Sequence, residues 1–278
     1  MIFVTSKFTM NSAIKTAVRN ASTRSTTASG SMVYESDRAA MEYLQFHYGK
    51  DEEVVPYPFA PQDALTFLHR TVKDTIPHTQ PNLRHRALDV GCSVGRSSFE
   101  LSRHFDQVVG IDFSNHFIDM ANKMKVDGSA PYEAHIQGDI KEIRNASVPS
   151  DIDRSKVHFE QGDACNLGQH LGTFDCVFAS NLLCRLPRPR AFLDRLPTLV
   201  NKNGILALIS PYSWLEEYTP KDQWIGATPE TGDSFSVIEK ILSPSFELIE
   251  RTQYPFLIRE HDRKFQWGVS DGTFWRRK

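Results

Sequence analysis

Apolar runs of four to six residues alternate along this chain with stretches of helical periodicity, and they come in a regular order. Ala87-Leu-Asp-Val90 predicts a buried strand, Gly91 to Gly95 a glycine turn, and Phe99 and Leu101 sit on the helix that follows. Gln107-Val-Val-Gly-Ile-Asp112 predicts a second strand. Ser114 then caps a helix with Phe117, Ile118, Ala121 and Met124 on its apolar face, which Gly128 ends. A third strand starts at Val157 and stops at Gly-Asp163-Ala. A fourth spans residues 174–183 and exits at Asn181. Pro187 and Pro189 open a helix that buries Phe192, Leu193, Leu196 and Leu199. Asn203-Gly204 reads as a turn into a fifth strand at 205–209, residues 237–242 as a short helix, and 246–259 with 264–275 as an antiparallel pair at the sheet edge. Strands alternating with helices predict an α/β protein: a seven-stranded, mostly parallel, Rossmann-like sheet with helices on both faces.

Upstream, residues 34–49 predict a helix closed by Gly49, with Tyr43, Phe46 and His47 on one side. It is either an amphipathic helix packed on the core or a helical lid over a ligand. As a lid it turns Tyr34, Arg38 and Tyr48 toward that ligand. Pro56, Pro58 and Pro61 punctuate a loop, 64–72 reads as a second helix, and a polar linker covers 77–86. Residues 129–155 lack strong periodicity and read as an insertion, with a hairpin through 134–140.

The glycine turn narrows the chemistry. Without a Cβ, glycine lets a ligand approach the main chain, and the helix start behind it offers free N–H groups. A dinucleotide fingerprint needs G-x-G-x-x-G to seat a pyrophosphate. Here the pattern is Asp89-x-Gly91-x-x-x-Gly95, with an anion where a pyrophosphate would be repelled. A cationic or zwitterionic nucleoside suits it better, S-adenosylmethionine being the common one. In open α/β sheets ligands bind beyond the carboxyl ends of the strands. Asp112 at such an end can accept from both ribose hydroxyls, and Asp163 from an adenine amino group. The expected cofactor site is Asp89, Gly91, Cys92, Gly95, Asp112, Phe113, Asp163, Ala164 and Asn181. The aromatic and acidic loop 210–220, followed by Trp224, lies beyond the fifth strand, where an acceptor is expected.

Bulk numbers remove some classes. Of the 278 residues 40% are hydrophobic and the formal charge is -2, which supports a core and gives no basic field for nucleic acid. No apolar run is long enough to span a bilayer. Cys92, Cys165, Cys176 and Cys184 form no C-x-x-C pair, which argues against a zinc site and against a disulfide framework; no metal is expected. Residues 1–31 carry Lys7, Lys15, Arg19 and Arg24, many Ser and Thr, and no acid. They read as a disordered tail on a cytoplasmic protein or as a mitochondrial or plastid targeting peptide, ahead of one domain at 32–278.

With Asp89-x-Gly, Ile-Asp112, Gly-Asp163-Ala and the Asn181 exit in order, the chain resembles class I S-adenosylmethionine-dependent methyltransferases. Six longer stretches carry a closer resemblance: Tyr34-Glu-Ser-Asp-Arg38, Phe46-His-Tyr-Gly49, Gly91-Cys-Ser-Val-Gly-Arg-Ser-Ser-Phe-Glu-Leu101, Gln161-Gly-Asp-Ala-Cys-Asn-Leu167, Ser210-Pro-Tyr-Ser-Trp-Leu-Glu-Glu-Tyr-Thr-Pro220 and Arg263-Lys-Phe-Gln266. They look like the C-terminal methyltransferase domain of the ovothiol-biosynthesis enzyme, a mercaptohistidine N-methyltransferase, over residues 33–278. The resemblance implies methylation of an imidazole nitrogen of 5-thiohistidine, giving ovothiol A. No H-x-x-x-H-x-E iron signature occurs among the ten His. This therefore looks like a stand-alone version, with a separate sulfoxide synthase supplying the substrate. By motif position, Glu217, Tyr212 and Tyr34 are the candidates to accept from the opposite imidazole nitrogen. Arg38 or Arg259 is expected at the substrate carboxylate, with Tyr48 and Trp214 beside it. Methylation of histidine or another thiol, and a non-catalytic cofactor-binding partner of the synthase, stay open. A nicotinamide enzyme is the more distant reading, because of the two-glycine turn.

Overall fold

The computed structural model describes residues 32–278. The tail read as disordered or targeting lies outside the described residues. In chain order the elements are α1 (Asp37–Tyr48), α2 (Asp51–Val54), α3 (Phe67–Thr75), β1 (Arg86–Val90), α4 (Arg96–Leu101), β2 (Gln107–Asp112), α5 (Asn115–Asp127), β3 (Ser129–Gln137), β4 (Ile140–Ser147), β5 (Val157–Gln161), β6 (Phe174–Ser180), α6 (Pro189–Leu199), β7 (Val200–Ser210), α7 (Ser234–Leu242), β8 (Phe246–His261) and β9 (Lys264–Arg277).

Seven strands form one sheet in the order β5-β2-β1-β6-β7-β9-β8. Pairs among β5, β2, β1, β6 and β7 are parallel, and β9 pairs antiparallel with β7 and with β8. Alternation along each strand sends neighbours to opposite faces. Ala87, Val108, Cys176, Phe178 and Ala207 meet Leu44, Phe99 and Phe117 on one face. Leu88, Val177, Ala179, Leu206 and Leu208 meet Phe192, Leu196 and Trp275 on the other. Both faces are covered, which is why these strands read as nearly unbroken apolar runs. The direction of sheet growth reverses between β1 and β6, and ligand crevices form at such a switch.

Several boundaries differ from expectation. The hairpin expected at 134–140 is present but longer: β3 pairs antiparallel with β4 over 129–147 as a second sheet, with a register shift between His135 and Gln137. Ala130, Tyr132 and Ala134 point inward from β3, whereas β4 is exposed along almost its whole length, so half of the hairpin carries no apolar alternation to read. The helix expected at 64–72 begins as a tight turn at Gln62–Ala64. It breaks at Thr66 (φ 53°) and continues as α3 to Thr75. Asn203 (φ 63°) and Gly204 are not a turn before a strand; they sit inside β7, at an irregularity in its pairing with β6. Ahead of α1, Ser36 accepts from the Ala39 N–H at 3.2 Å as its N-cap. No helix of the described residues is long and apolar enough to cross a membrane.

Candidate active site

The carboxyl ends of the parallel strands and the face of α1 enclose one cleft of about 580 Å³. Its floor is the turn after β1. Gly91 (φ +77°) and Gly95 (φ +91°) lie in the left-handed region, and a Cβ would fall 2.9 Å from Leu182 Cδ1 at the first and 2.6 Å from Phe159 Cζ at the second. Both positions are closed to side chains by conformation and by space. The Gly91 and Cys92 N–H groups donate to the Ile111 carbonyl at 2.7 and 3.0 Å, which ties the turn to β2.

Of the residues expected at the cofactor, Gly91, Asp112, Phe113, Asp163, Ala164 and Asn181 line the cleft. Asp112 accepts from the Ser93 N–H and the Ser114 N–H, both at 2.9 Å, and burial pushes its carboxyl up to about 6. Each oxygen keeps a second lone pair for a ligand. Asp163 accepts from the Cys165 N–H at 2.8 Å. Asn181 (φ 53°) accepts from the Ser270 hydroxyl at 2.7 Å. Ser93 and Ser180 also face the cleft, and their hydroxyls are buried without a partner.

Asp89, Cys92 and Gly95 do not line it. Asp89 shares the β1 face that α4 covers. Its carboxylate is 1% exposed and accepts the Ser97 and Ser98 hydroxyls, both at 2.6 Å, with burial raising it to about 6. It holds the start of α4 to the strand instead of meeting a ligand. Cys92 is enclosed by the turn, where burial lifts its thiol well above the usual range.

Opposite the turn, the wall is aromatic. Tyr34, Glu42, Tyr43, Phe46 and His47 come from α1 and the turn ahead of it, Phe67 and Leu68 from α3, and Phe256, Ile258, Gln266 and Trp267 from β8 and β9. Tyr34 packs at 6.0 Å on Tyr43, 5.8 Å on Phe117 and 6.2 Å on Tyr218. Burial raises both phenols, Tyr43 to about 12, so they stay protonated. His47 is 9% exposed, and neither ring nitrogen has a hydrogen-bond partner. Burial, then the nearby Arg96, pushes it down to about 3, so it is a neutral imidazole.

The other residues expected to meet substrate are corrected. Tyr48 points to the far side of α1 and donates to the Val94 carbonyl at 2.8 Å. Arg38 lies outside the cleft, 66% exposed, paired with Glu42 at 2.9 Å. Arg259 is buried under the β3–β4 hairpin, where it donates to the Glu53 and His135 carbonyls and pairs with Asp262. The loop 210–220 does reach the cleft, but with Pro211, Ser213 and Tyr218. Tyr212 turns back to Asp271 at 3.1 Å and Trp214 to the Ser234 hydroxyl at 2.9 Å, both against the far face of the sheet, and Glu217 is exposed away from the cleft. Tyr34 is the one candidate catalytic residue that the cleft contains. Arg185 was missed: it lines the cleft from the tight turn Leu183–Arg185, where no periodicity marks it.

Among protein families, residues 88–208 match the model described as a methyltransferase domain. No curated protein matches the sequence. Among solved structures, the YcgJ protein of Bacillus subtilis is 12% identical with a TM-score of 0.51, over 76% of this chain and 98% of that one. Magnesium protoporphyrin IX methyltransferase of Synechocystis with bound S-adenosylhomocysteine is 18% identical with a TM-score of 0.51, over 95% and 100%. Residues 88–208 thus match a methyltransferase domain, and the chain shares the class I fold of these structures.

Proposed function

We propose that the protein methylates an imidazole nitrogen of 5-thiohistidine. The observation that carries the reading is convergence. All six stretches resembling the mercaptohistidine methyltransferase supply residues to one cleft: Tyr34; Phe46 and His47; Gly91, Ser93 and Ser97; Gly162, Asp163 and Ala164; Pro211, Ser213 and Tyr218; and Gln266. Supply of the thiohistidine by a separate sulfoxide synthase belongs to the same reading.

The cleft suits the cofactor in two respects: side-chain-free backbone at Gly91, and Asp112, whose oxygens each retain a lone pair. In this reading Asp112 accepts from the ribose hydroxyls, Asp163 and the Ala164 N–H meet the adenine edge, and Phe113 flanks the nucleoside. S-adenosylmethionine supplies an electrophilic methyl on a sulfonium. The protein's part is to set the acceptor nitrogen behind that methyl and in line with the departing sulfur, an orientation effect of up to about 7–11 kcal/mol in favourable cases. A neutral imidazole nitrogen is already nucleophilic, so no strong base is required. The neutral His47 ring has acceptor capacity to spare and takes a hydrogen bond from the opposite imidazole N–H, which fixes the ring's tautomer. Tyr34 and Tyr43 hold protonated phenols beside it, and Phe46, Phe67 and Phe256 exclude water from the acceptor side.

The test is an assay of 5-thiohistidine, histidine and simple thiols side by side with S-adenosylmethionine, with products read by mass spectrometry. The expected product is ring-N-methylated thiohistidine, with histidine turned over far more slowly. Equal turnover of histidine, or methylation on sulfur, overturns the reading. Cofactor binding without methylation of any of them favours a non-catalytic partner.

A further inference from the structure

Charge on the cleft wall is unequal. Glu42, Asp112 and Asp163 line it, and among the described residues one cation does, Arg185. The three acids are answered within the protein: Glu42 by Arg38, Asp112 by two backbone N–H groups, Asp163 by another. Arg185 has no such answer. Its Nη1 donates to the carbonyls of Cys184 at 3.1 Å and Ser213 at 2.8 Å, and its Nη2 to the Ser213 hydroxyl at 3.3 Å. Its guanidinium lies 4.6 Å above the Tyr218 ring, and it forms no ion pair. A guanidinium has five N–H donors. The Nε–H and one Nη2–H, which share an edge, carry no carbonyl and no carboxylate. Tyr34 is a neutral side-chain hydrogen-bond partner of Arg185 and of Tyr43, and its phenol stays protonated.

A half-buried cation whose partners are all neutral carries a desolvation cost that a bound anion would offset. A side-on guanidinium edge matches the two oxygens of a carboxylate. We propose that the methyl acceptor is a small carboxylate-bearing molecule and that Arg185, with Tyr34 beside it, holds that carboxylate. This rests on the methyl-transfer reading above and gives it a different anchor from the arginines expected on sequence grounds. Arg185 fixes one end of the acceptor, so the ring at the other end reaches the aromatic wall near His47. Its neighbours Tyr34, Ser213 and Tyr218 come from the segments that form the acceptor side. The alternative occupant is the cofactor's own carboxylate, and the experiment separates the two.

In the full chain, Arg185→Gln and Arg185→Lys are compared with wild type by calorimetric binding of S-adenosylhomocysteine. Binding of histidine and of histamine to the S-adenosylhomocysteine-loaded protein follows, then KM and kcat for 5-thiohistidine and its decarboxylated counterpart. Wild type is expected to prefer each carboxylate over its decarboxylated partner by about tenfold or more, the scale of a charge-assisted pair. Arg185→Gln should abolish that preference and raise KM for 5-thiohistidine by a similar factor, with S-adenosylhomocysteine affinity within about twofold of wild type. Arg185→Lys should retain part of the preference. An unaltered homocysteine-ligand affinity also certifies that each variant is folded. Weakened S-adenosylhomocysteine binding with the carboxylate preference intact assigns Arg185 to the cofactor and overturns the proposal. So does a wild type that does not distinguish histidine from histamine. If thiohistidine is not methylated but the carboxylate preference holds and depends on Arg185, the substrate identity is wrong and the anchor stands.

Discussion

Below pH 6.5 the buried His47 and the buried acids pull stability in opposite directions. His47 titrates near 3 in the fold against about 6.5 in the unfolded chain. Its contribution is complete above 6.5 and is lost as pH falls through 6.5 toward 3, by up to about 1.4 kcal/mol per pH unit, because only the unfolded chain takes the proton. Asp89 and Asp112 are raised to about 6 from 3.8. Their contribution is complete below 3.8 and is lost as pH rises through 6. Urea unfolding of His47→Gln at pH 7.5, 6 and 5 should therefore lose less stability on acidification than wild type, by about 1 kcal/mol per pH unit below 6; parallel curves would mean His47 is not held neutral. In the proposed cofactor pose Asp112 also links pH to binding, since a protonated carboxyl accepts less well from two ribose hydroxyls. S-adenosylhomocysteine affinity should fall from pH 7 to pH 5, by at most about tenfold per unit once below 6. Asp112→Asn should bind weakly with little pH dependence in calorimetry, and a variant as pH-sensitive as wild type would sink the assignment. The place of Asp112 and Asp163 in the cleft was legible because strand ends are where an α/β sheet opens its crevice. Asp89 was misplaced because the run gives its position but not that the Ser97 and Ser98 hydroxyls consume its oxygens. Arg185 is not marked in the sequence because Leu182 and Leu183 extend the apolar run of the strand read over 174–183, which hides the turn Leu183–Arg185.

Helix α1 works as a strap across the sheet's carboxyl ends. The turn ahead of it reaches the β2–α5 corner, where the Ser114 hydroxyl donates to the Tyr34 carbonyl at 3.0 Å, and its last turn reaches the glycine turn through Tyr48 and the Val94 carbonyl. Tyr48→Phe leaves that carbonyl buried and unpaired, at a cost of about 1–3 kcal/mol. The loss should appear in urea unfolding together with weaker S-adenosylhomocysteine binding, because the bond holds the backbone next to Gly95. Normal cofactor affinity at reduced stability would separate the strap from the site. The helix could be read in advance but not its working face: Tyr43 and Phe46 fit a core stripe and a cleft wall equally, and here they serve as both, with His47 on the cleft wall. In the loop 210–220 the motif located the segment, yet with no helical or strand period nothing in the sequence says that Pro211, Ser213 and Tyr218 face inward while Tyr212, Trp214 and Glu217 do not. The β3–β4 hairpin could be placed but not given its full length for a related reason, since its outer strand buries almost nothing.

Across the whole molecule the two halves of the cleft are built by different parts of the chain. In the proposed reading the nucleoside side belongs to β1, β2, β5 and β6, the first half of a sheet whose order is set by parallel crossovers. The acceptor side joins α1 and α3 to the antiparallel pair β8 and β9, far apart in sequence: Phe46 stacks on Phe67 at 6.1 Å, Phe67 meets Phe256 at 5.5 Å, and Arg70 donates to the Pro255 carbonyl at 2.7 Å. A ligand that binds only the folded state adds about 2.7 kcal/mol at a hundredfold excess over its Kd. S-adenosylhomocysteine should raise Tm by several degrees, and acceptor added to that complex should raise it again, because the second ligand ties the N-terminal helices to the C-terminal strands. Hydrogen exchange localises each step. With S-adenosylhomocysteine alone, protection should rise around Gly91, Asp112 and Asp163; with acceptor present it should extend to α1 and to residues 256–269. Acceptor that protects only the glycine turn and the ends of β2 and β5 would place both ligands on the nucleoside side and leave the aromatic wall without a role in binding.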